Sequence, residues 1–213
     1  MKQNIFILLF LYVIVVFSQT NNDDYFDNNQ IRYTDYIYKE NIKSVILCRE
    51  GWELSYPAIN LYSNERLSLS FDEISSDTKD YYYKIIHCTY DWKPSDLMPM
   101  EYIKGITNDQ ITEYKFSFNT IVTYTHYFLN FPSNDMLITK SGNYIIIVYE
   151  DNDEENIVLS KRFLIYEPVV SINARVERSS NLGLIKSHQE VNFIVNADKL
   201  SLNDPYTEIK PVI

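Results

Sequence analysis

Glycine is nearly missing from this sequence: four residues in 213, at 51, 105, 142 and 183, against nineteen tyrosines. Glycines so scattered exclude a phosphate-cradling loop, which needs several unencumbered backbone amides at one turn. Histidine is as scarce, and His87, His126 and His188 fall on or next to separate expected strands, so no short-spaced pair exists to grip a metal. HExxH, CxxC and nucleophile-elbow patterns are missing as well. No residue is therefore singled out as catalytic, cofactor-binding or metal-ligating; a pair of carboxylates for glycoside hydrolysis would be set by tertiary structure, and nothing in the sequence marks one. Basic residues are also in short supply, 19 against 29 acidic ones, for a formal charge of −10. Nucleic-acid binding depends on clustered Lys and Arg that release counterions from phosphate, and no such stripe is present. An anionic lipid surface is disfavoured for the same reason.

Long apolar runs are lacking except at the start, where Lys2 precedes an uninterrupted apolar stretch at 5–17. A helix crossing a bilayer needs about 20 apolar residues. Here Ser18, Gln19 and Thr20 end the run, which reads as a secretory signal peptide over 1–18, with Val16 and Ser18 as the small-residue positions before the cut. No cysteine precedes Cys48, so no acyl anchor can be built there, and the expected mature product is a soluble exported protein. Losing Lys2 leaves 18 basic against 29 acidic residues, a formal −11. Two cysteines, Cys48 and Cys88, are present in an oxidising compartment. A bridge between them would close a loop of roughly 40 residues, worth about 4 kcal/mol in the chain-entropy picture; two separate buried thiols is the other reading.

What is abundant is apolar and aromatic surface: 46% hydrophobic and 15% aromatic residues, ample for a core in about 195 mature residues. Alternation with period two dominates after residue 30. Leu67, Leu69 and Phe71 alternate with Ser68, Ser70 and Asp72, and Tyr114, Phe116 and Phe118 with Lys115, Ser117 and Asn119. Further strands are expected at 31–38, 42–49, 80–90, 123–131, 143–150, 157–166, 169–178 and 189–195. The fold class is all-β, an immunoglobulin-like sandwich. Turns fall to Asn, Asp and Ser, whose side chains bond back to the backbone, as in Ser75-Ser76-Asp77, Ser133-Asn134-Asp135 and Asp151-Asn152-Asp153.

The clearest hairpin spans 143–167 around the acidic loop 151–156. That loop lacks the glycine of a calcium-binding EF-hand and reads as a solvated tip. Ahead of it, Lys140-Ser141-Gly142-Asn143-Tyr144 places a tyrosine just after a turn, the pattern of a tyrosine corner, with the Tyr144 hydroxyl expected on upstream backbone. Glu167-Pro168 closes the hairpin, because proline has no N–H to give a central strand. The expected organisation is a polar segment at 19–29, a sandwich domain at 30–168, and at 169–213 the beginning of a second β domain that reads as cut short.

The segment His87-Cys88-Thr89-Tyr90-Asp91-Trp92-Lys93-Pro94-Ser95-Asp96-Leu97-Met98-Pro99 leaves a strand and enters a proline-bounded loop with three apolar side chains, Trp92, Leu97 and Met98. Rigid loops that expose aromatic and Met side chains make hot spots at protein interfaces. The alternative is that Trp92 folds back over one end of the core.

Together with Gly51-Trp52-Glu53-Leu54-Ser55-Tyr56-Pro57, Ser117-Phe118-Asn119-Thr120, Tyr124-Thr125-His126-Tyr127, Phe131-Pro132 and Ser141-Gly142-Asn143-Tyr144, that segment resembles, in order, the first domain of the type IX secretion system plug family. The resemblance covers roughly 30–213. It implies a non-enzymatic periplasmic protein of a Gram-negative envelope that binds the outer-membrane translocon barrel and seals its inner mouth. It also implies a longer protein, and it brings no catalytic residue or cofactor. Cys48 is not part of the family pattern. Two other classes fit the composition: a carbohydrate-binding module, since Tyr and Trp faces stack on sugars, and an accessory domain of a secreted hydrolase.

Overall fold

The computed structural model describes residues 30–211 with the exception of 76. The expected signal peptide, its cleavage site and the polar segment at 19–29 lie outside the described residues. The chain divides into two units, Met1–Gln30 and Ile31–Ile213, and the second is described below.

Two antiparallel sheets form an all-β sandwich. The smaller has the order β2 (Ile42–Arg49), β4 (Leu67–Glu73), β9 (Thr125–Phe131), β8 (Glu113–Phe116). The larger has the order β1 (Tyr36–Ile37), β12 (Ile157–Tyr166), β11 (Gly142–Glu150), β5 (Tyr81–Cys88), β7 (Asn108–Ile111), and β3 (Ala58–Asn60) runs parallel to the far end of β12. A short pair, β6 (Ile103–Gly105) with β10 (Met136–Ile138), stands apart from both sheets.

Alternation decides which side chains meet. On β4, Leu67, Leu69 and Phe71 are fully buried while Ser68, Ser70 and Asp72 face outward, as period-two pleating requires. They join Tyr81, Tyr83, Tyr127, Phe131, Tyr144, Ile146, Val148 and Phe163 in the core between the sheets. Rings interlock there: Phe71 stacks on Tyr127 at 5.3 Å between centroids, and Phe131 meets Phe163 edge-on at 5.2 Å. Each such side chain contributes roughly 1.5–3 kcal/mol by leaving water. The unbroken run Ile145-Ile146-Ile147-Val148 on β11 is buried on both faces. Ile146 and Val148 point into the main core, whereas Ile145 and Ile147 belong to a second cluster with Cys88 and Ile157, covered by Ile31, Tyr33, Tyr38 and Trp92.

That covering role explains why 31–38 is not one long strand. Only Tyr36–Ile37 pairs with β12; the segment before it lays Ile31 and Tyr33 on the outer face of the larger sheet. The cysteines are both buried and free. Cys48 sits beside Ser68, Ser70, His126 and Phe128 on the outer side of the smaller sheet, and Cys88 on the outer side of the larger, so the whole core separates them.

Tyrosine hydroxyls do much of the loop fastening in this glycine-poor chain. Tyr144 donates to the Lys140 carbonyl at 2.8 Å, Tyr102 to that of Ile85 at 3.3 Å and Tyr127 to that of Lys79 at 3.2 Å. The crossover between β4 and β5 is clamped further by Lys79, whose ammonium lies 3.3 Å from the fully buried Glu73 and 3.1 Å from Glu150.

After Pro168, β13 (Ser171–Arg178) and β14 (Gln189–Asn196) pair with each other and, among the described residues, with no other strand. Ile172, Ala174 and Val176 lie opposite Val195, Phe193 and Val191, giving the ribbon one apolar face.

Candidate docking surface

The loop after β5 begins as a tight turn. The Thr89 amide donates to the Lys93 carbonyl at 2.8 Å, and Trp92 takes a left-handed backbone with φ of 62°. That conformation is unfavourable for a bulky residue by about 1 kcal/mol or more. It aims the indole back at the sheet, where the ring packs on the outer cluster and carries the Arg162 guanidinium at 4.3 Å from its centroid. Leu97 faces the other way and packs on the core between the sheets. Met98, two-thirds exposed, opens a helical turn (Pro99–Tyr102), and its amide donates to Glu101 at 2.6 Å. Trp92, Leu97 and Met98 thus face three different surroundings rather than one, and Tyr90, Met98 and Met100 are the large apolar side chains left in solvent along this loop and the turn that follows it.

His87 holds the loop from beneath. Its Nδ1 lies 2.8 Å from the Ser95 hydroxyl and its Nε2 3.4 Å from the Ser141 carbonyl. A carbonyl only accepts, so Nε2 carries the proton and the Ser95 hydroxyl donates to Nδ1. The ring meets Tyr144 edge-on at 5.0 Å. Burial pushes this imidazole below its ordinary value, and burial raises the Cys88 thiol to about 11, far from a reactive thiolate at neutral pH. His126 lies 2.6 Å from Asp72 on the outer side of the smaller sheet, and His188 is exposed beside Ser187. Among the described residues no group of three or more His, Cys, Asp or Glu side chains is placed to hold a metal ion. The acidic loop 151–156 turns on Asp151 and Asn152, both left-handed, and is closed by the Glu150 amide on the Asn156 carbonyl at 3.1 Å.

Two other loops carry more exposed apolar surface than the one the sequence singled out. Trp52 and Leu54 rise over a groove lined by Ile46, Ser68, Ser70 and Phe128. Phe118, Ile121 and Val122 crown the hairpin between β8 and β9. Hydropathy does not distinguish either group from strand residues; the signal for Phe118, Ile121 and Val122 is the complete lack of charge from 116 to 125, and Trp52 and Leu54, on either side of Glu53, carry no such signal.

The molecule is an all-β sandwich whose buried polar groups fasten loops and whose apolar side chains reach solvent at loop tips. The chain belongs to the type 9 secretion system plug protein family: the model of that family's first domain matches residues 42–167, more than half of the sequence. This is a non-catalytic kind of domain, and membership ties the chain to type IX secretion. A crystal structure of a hypothetical protein from Parabacteroides merdae ATCC 43184 is similar, with 31% identity and a TM-score of 0.79 over 84% of this chain and 45% of that one. The chain therefore spans less than half the length of that relative. A likeness to Pseudomonas fluorescens alkylpurine DNA glycosylase AlkC bound to DNA containing an abasic site analog has 13% identity and a TM-score of 0.31 over 59% of this chain and 30% of that one, too low to carry an argument. No curated protein matches the chain. Among the described residues no helix is long and apolar enough to cross a membrane.

Proposed function

We propose that the protein is a non-enzymatic periplasmic plug, exported by its N-terminal signal peptide, that binds the outer-membrane translocon of type IX secretion and closes its periplasmic opening. The observation that carries this reading is the family domain over 42–167. The physics agrees with it. A body that closes a wide pore must be stiff, and here both faces of the larger sheet are packed, while hydroxyls of Tyr102, Tyr127 and Tyr144 pin the loops. Closure must also be reversible, which suits contacts made by separate loop tips rather than one large apolar face. Met98 is the part of the 87–99 loop that reaches the partner, with Trp92 and Leu97 holding the loop in shape. Residues 169–213 belong to a second β domain, a reading supported by the pairing of β13 and β14 with each other and, among the described residues, with no other strand.

Affinity purification of the tagged full-length protein from its native envelope tests the reading. Co-recovery of a large outer-membrane barrel is expected. Recovery of glycans or a soluble hydrolase, without a barrel, would defeat it.

A further inference from the structure

The hairpin between β8 and β9 ends in the most exposed apolar group of the sandwich. Phe118 retains 93% of its accessible surface and Ile121 all of it, with Val122 more than half exposed beside them. Among the described residues none covers these side chains. They are held out on a closed turn: the Ser117 amide donates to the Tyr124 carbonyl at 2.9 Å, the Tyr124 amide to the Ser117 hydroxyl at 2.9 Å, and the Thr120 hydroxyl to the Val122 carbonyl at 2.8 Å. Asn119 takes a left-handed φ of 56°, which asparagine tolerates better than most residues. The tip is therefore shaped before it meets anything, and ordering it on contact costs little entropy.

Its chemistry narrows the partner. Ten consecutive residues, from Phe116 to Thr125, carry no charge in a chain that is 23% charged. Centres of protein interfaces are depleted of charge and enriched in aromatic anchors that fill pockets. A lipid surface fits less well. Three apolar side chains give a hold comparable to the marginal one of a single acyl chain, where stable anchoring takes two signals, and an acidic body with a formal charge of −10 is repelled by anionic headgroups.

We infer that Phe118, Ile121 and Val122 form an apolar anchor that inserts into a hydrophobic pocket in the protein wall of the partner, an inference that rests on the translocon-binding reading and names its contact. The test uses full-length protein in its native envelope, with a photo-crosslinking phenylalanine analogue at position 118 and, separately, the double variant Phe118→Ser, Ile121→Ser. The expected results are a crosslink to the translocon barrel, a fall of at least tenfold in barrel recovered by the double variant, and a melting temperature within about 2 °C of wild type. Three results overturn the inference: barrel recovery by the double variant within twofold of wild type, a crosslink to lipid, or no crosslink while wild type still recovers the barrel. If wild type recovers no barrel at all, the plug reading itself fails and takes the anchor with it. Should the double variant lose stability, Phe118→Thr alone with the same crosslink decides between these outcomes.

Discussion

Gly142 opens β11 directly against the ring of His87: a Cβ added there would stand 2.5 Å from Nε2. The backbone at this position has φ of 148°, which side-chain-bearing residues rarely adopt. Gly142→Ala therefore meets both a steric and a conformational penalty, expected at about 1–3 kcal/mol. Removing the ring with His87→Ala should relieve only the steric part, so a double-mutant cycle in urea should show coupling between the two positions. Additive effects would mean the ring gives way freely. Gly105→Ala should be worse, because the added carbon meets the backbone carbonyl of Asp135, which cannot rotate aside.

His87 also sets a pH dependence. Burial lowers its folded value, the Lys140 charge lowers it further, and the hydrogen bond to Ser141 works in the opposite direction. The unfolded chain thus takes up a proton first as pH falls below about 6.5. Stability supplied by the neutral ring is complete above that value and disappears as pH drops through the lower folded value. Urea unfolding between pH 7.5 and pH 5 should show wild type losing stability more steeply than His87→Gln; parallel slopes would contradict this.

Tyr144 is fully buried and its hydroxyl reaches the Lys140 carbonyl at 2.8 Å. Tyr144→Phe keeps the ring packing on Phe163 and leaves that carbonyl without its donor, so a loss of about 1–3 kcal/mol is expected. An unchanged urea midpoint would reduce Tyr144 to an ordinary core ring.

Trp92 and Met98, neighbours in one loop, should behave differently. Trp92→Ala uncovers Cys88, Ile145 and Ile147 and removes the ring beneath Arg162, for an expected loss of about 1–2 kcal/mol, below the range for a fully buried Trp. Met98→Ala should stay within about 0.5 kcal/mol of wild type, as a surface change does. Thermal melts of the two variants suffice to check the contrast.

Much of the sandwich was readable because alternation on β4 is long enough to show its period and the apolar run on β11 is long enough to mark a strand buried on both faces, and β2, β5 and β12 fall close to their expected bounds. Ala58–Asn60, Ile103–Gly105 and Met136–Ile138 escaped because three residues cannot show a period of two. Residues 31–35 alternate like a strand yet lie across a sheet, since a covering segment and a paired strand present the same pattern of apolar side chains. The separation of Cys48 from Cys88 was likewise invisible, because which face each cysteine takes depends on how the two sheets stack. For the docking surface, composition identified apolar loops but not their exposure. Trp92 and Phe118 look alike in sequence, and only the left-handed turn at Trp92 folds its ring onto the protein while the closed turn at 117–124 holds Phe118 out.

Closure of the pore is tested most directly by ion conductance of the purified translocon barrel in a planar bilayer, with full-length protein added from the periplasmic side. A concentration-dependent drop in conductance is expected, one that reverses when the protein is washed out and that the Phe118→Ser, Ile121→Ser variant fails to produce. Conductance unchanged at protein concentrations that saturate binding to the barrel would contradict it.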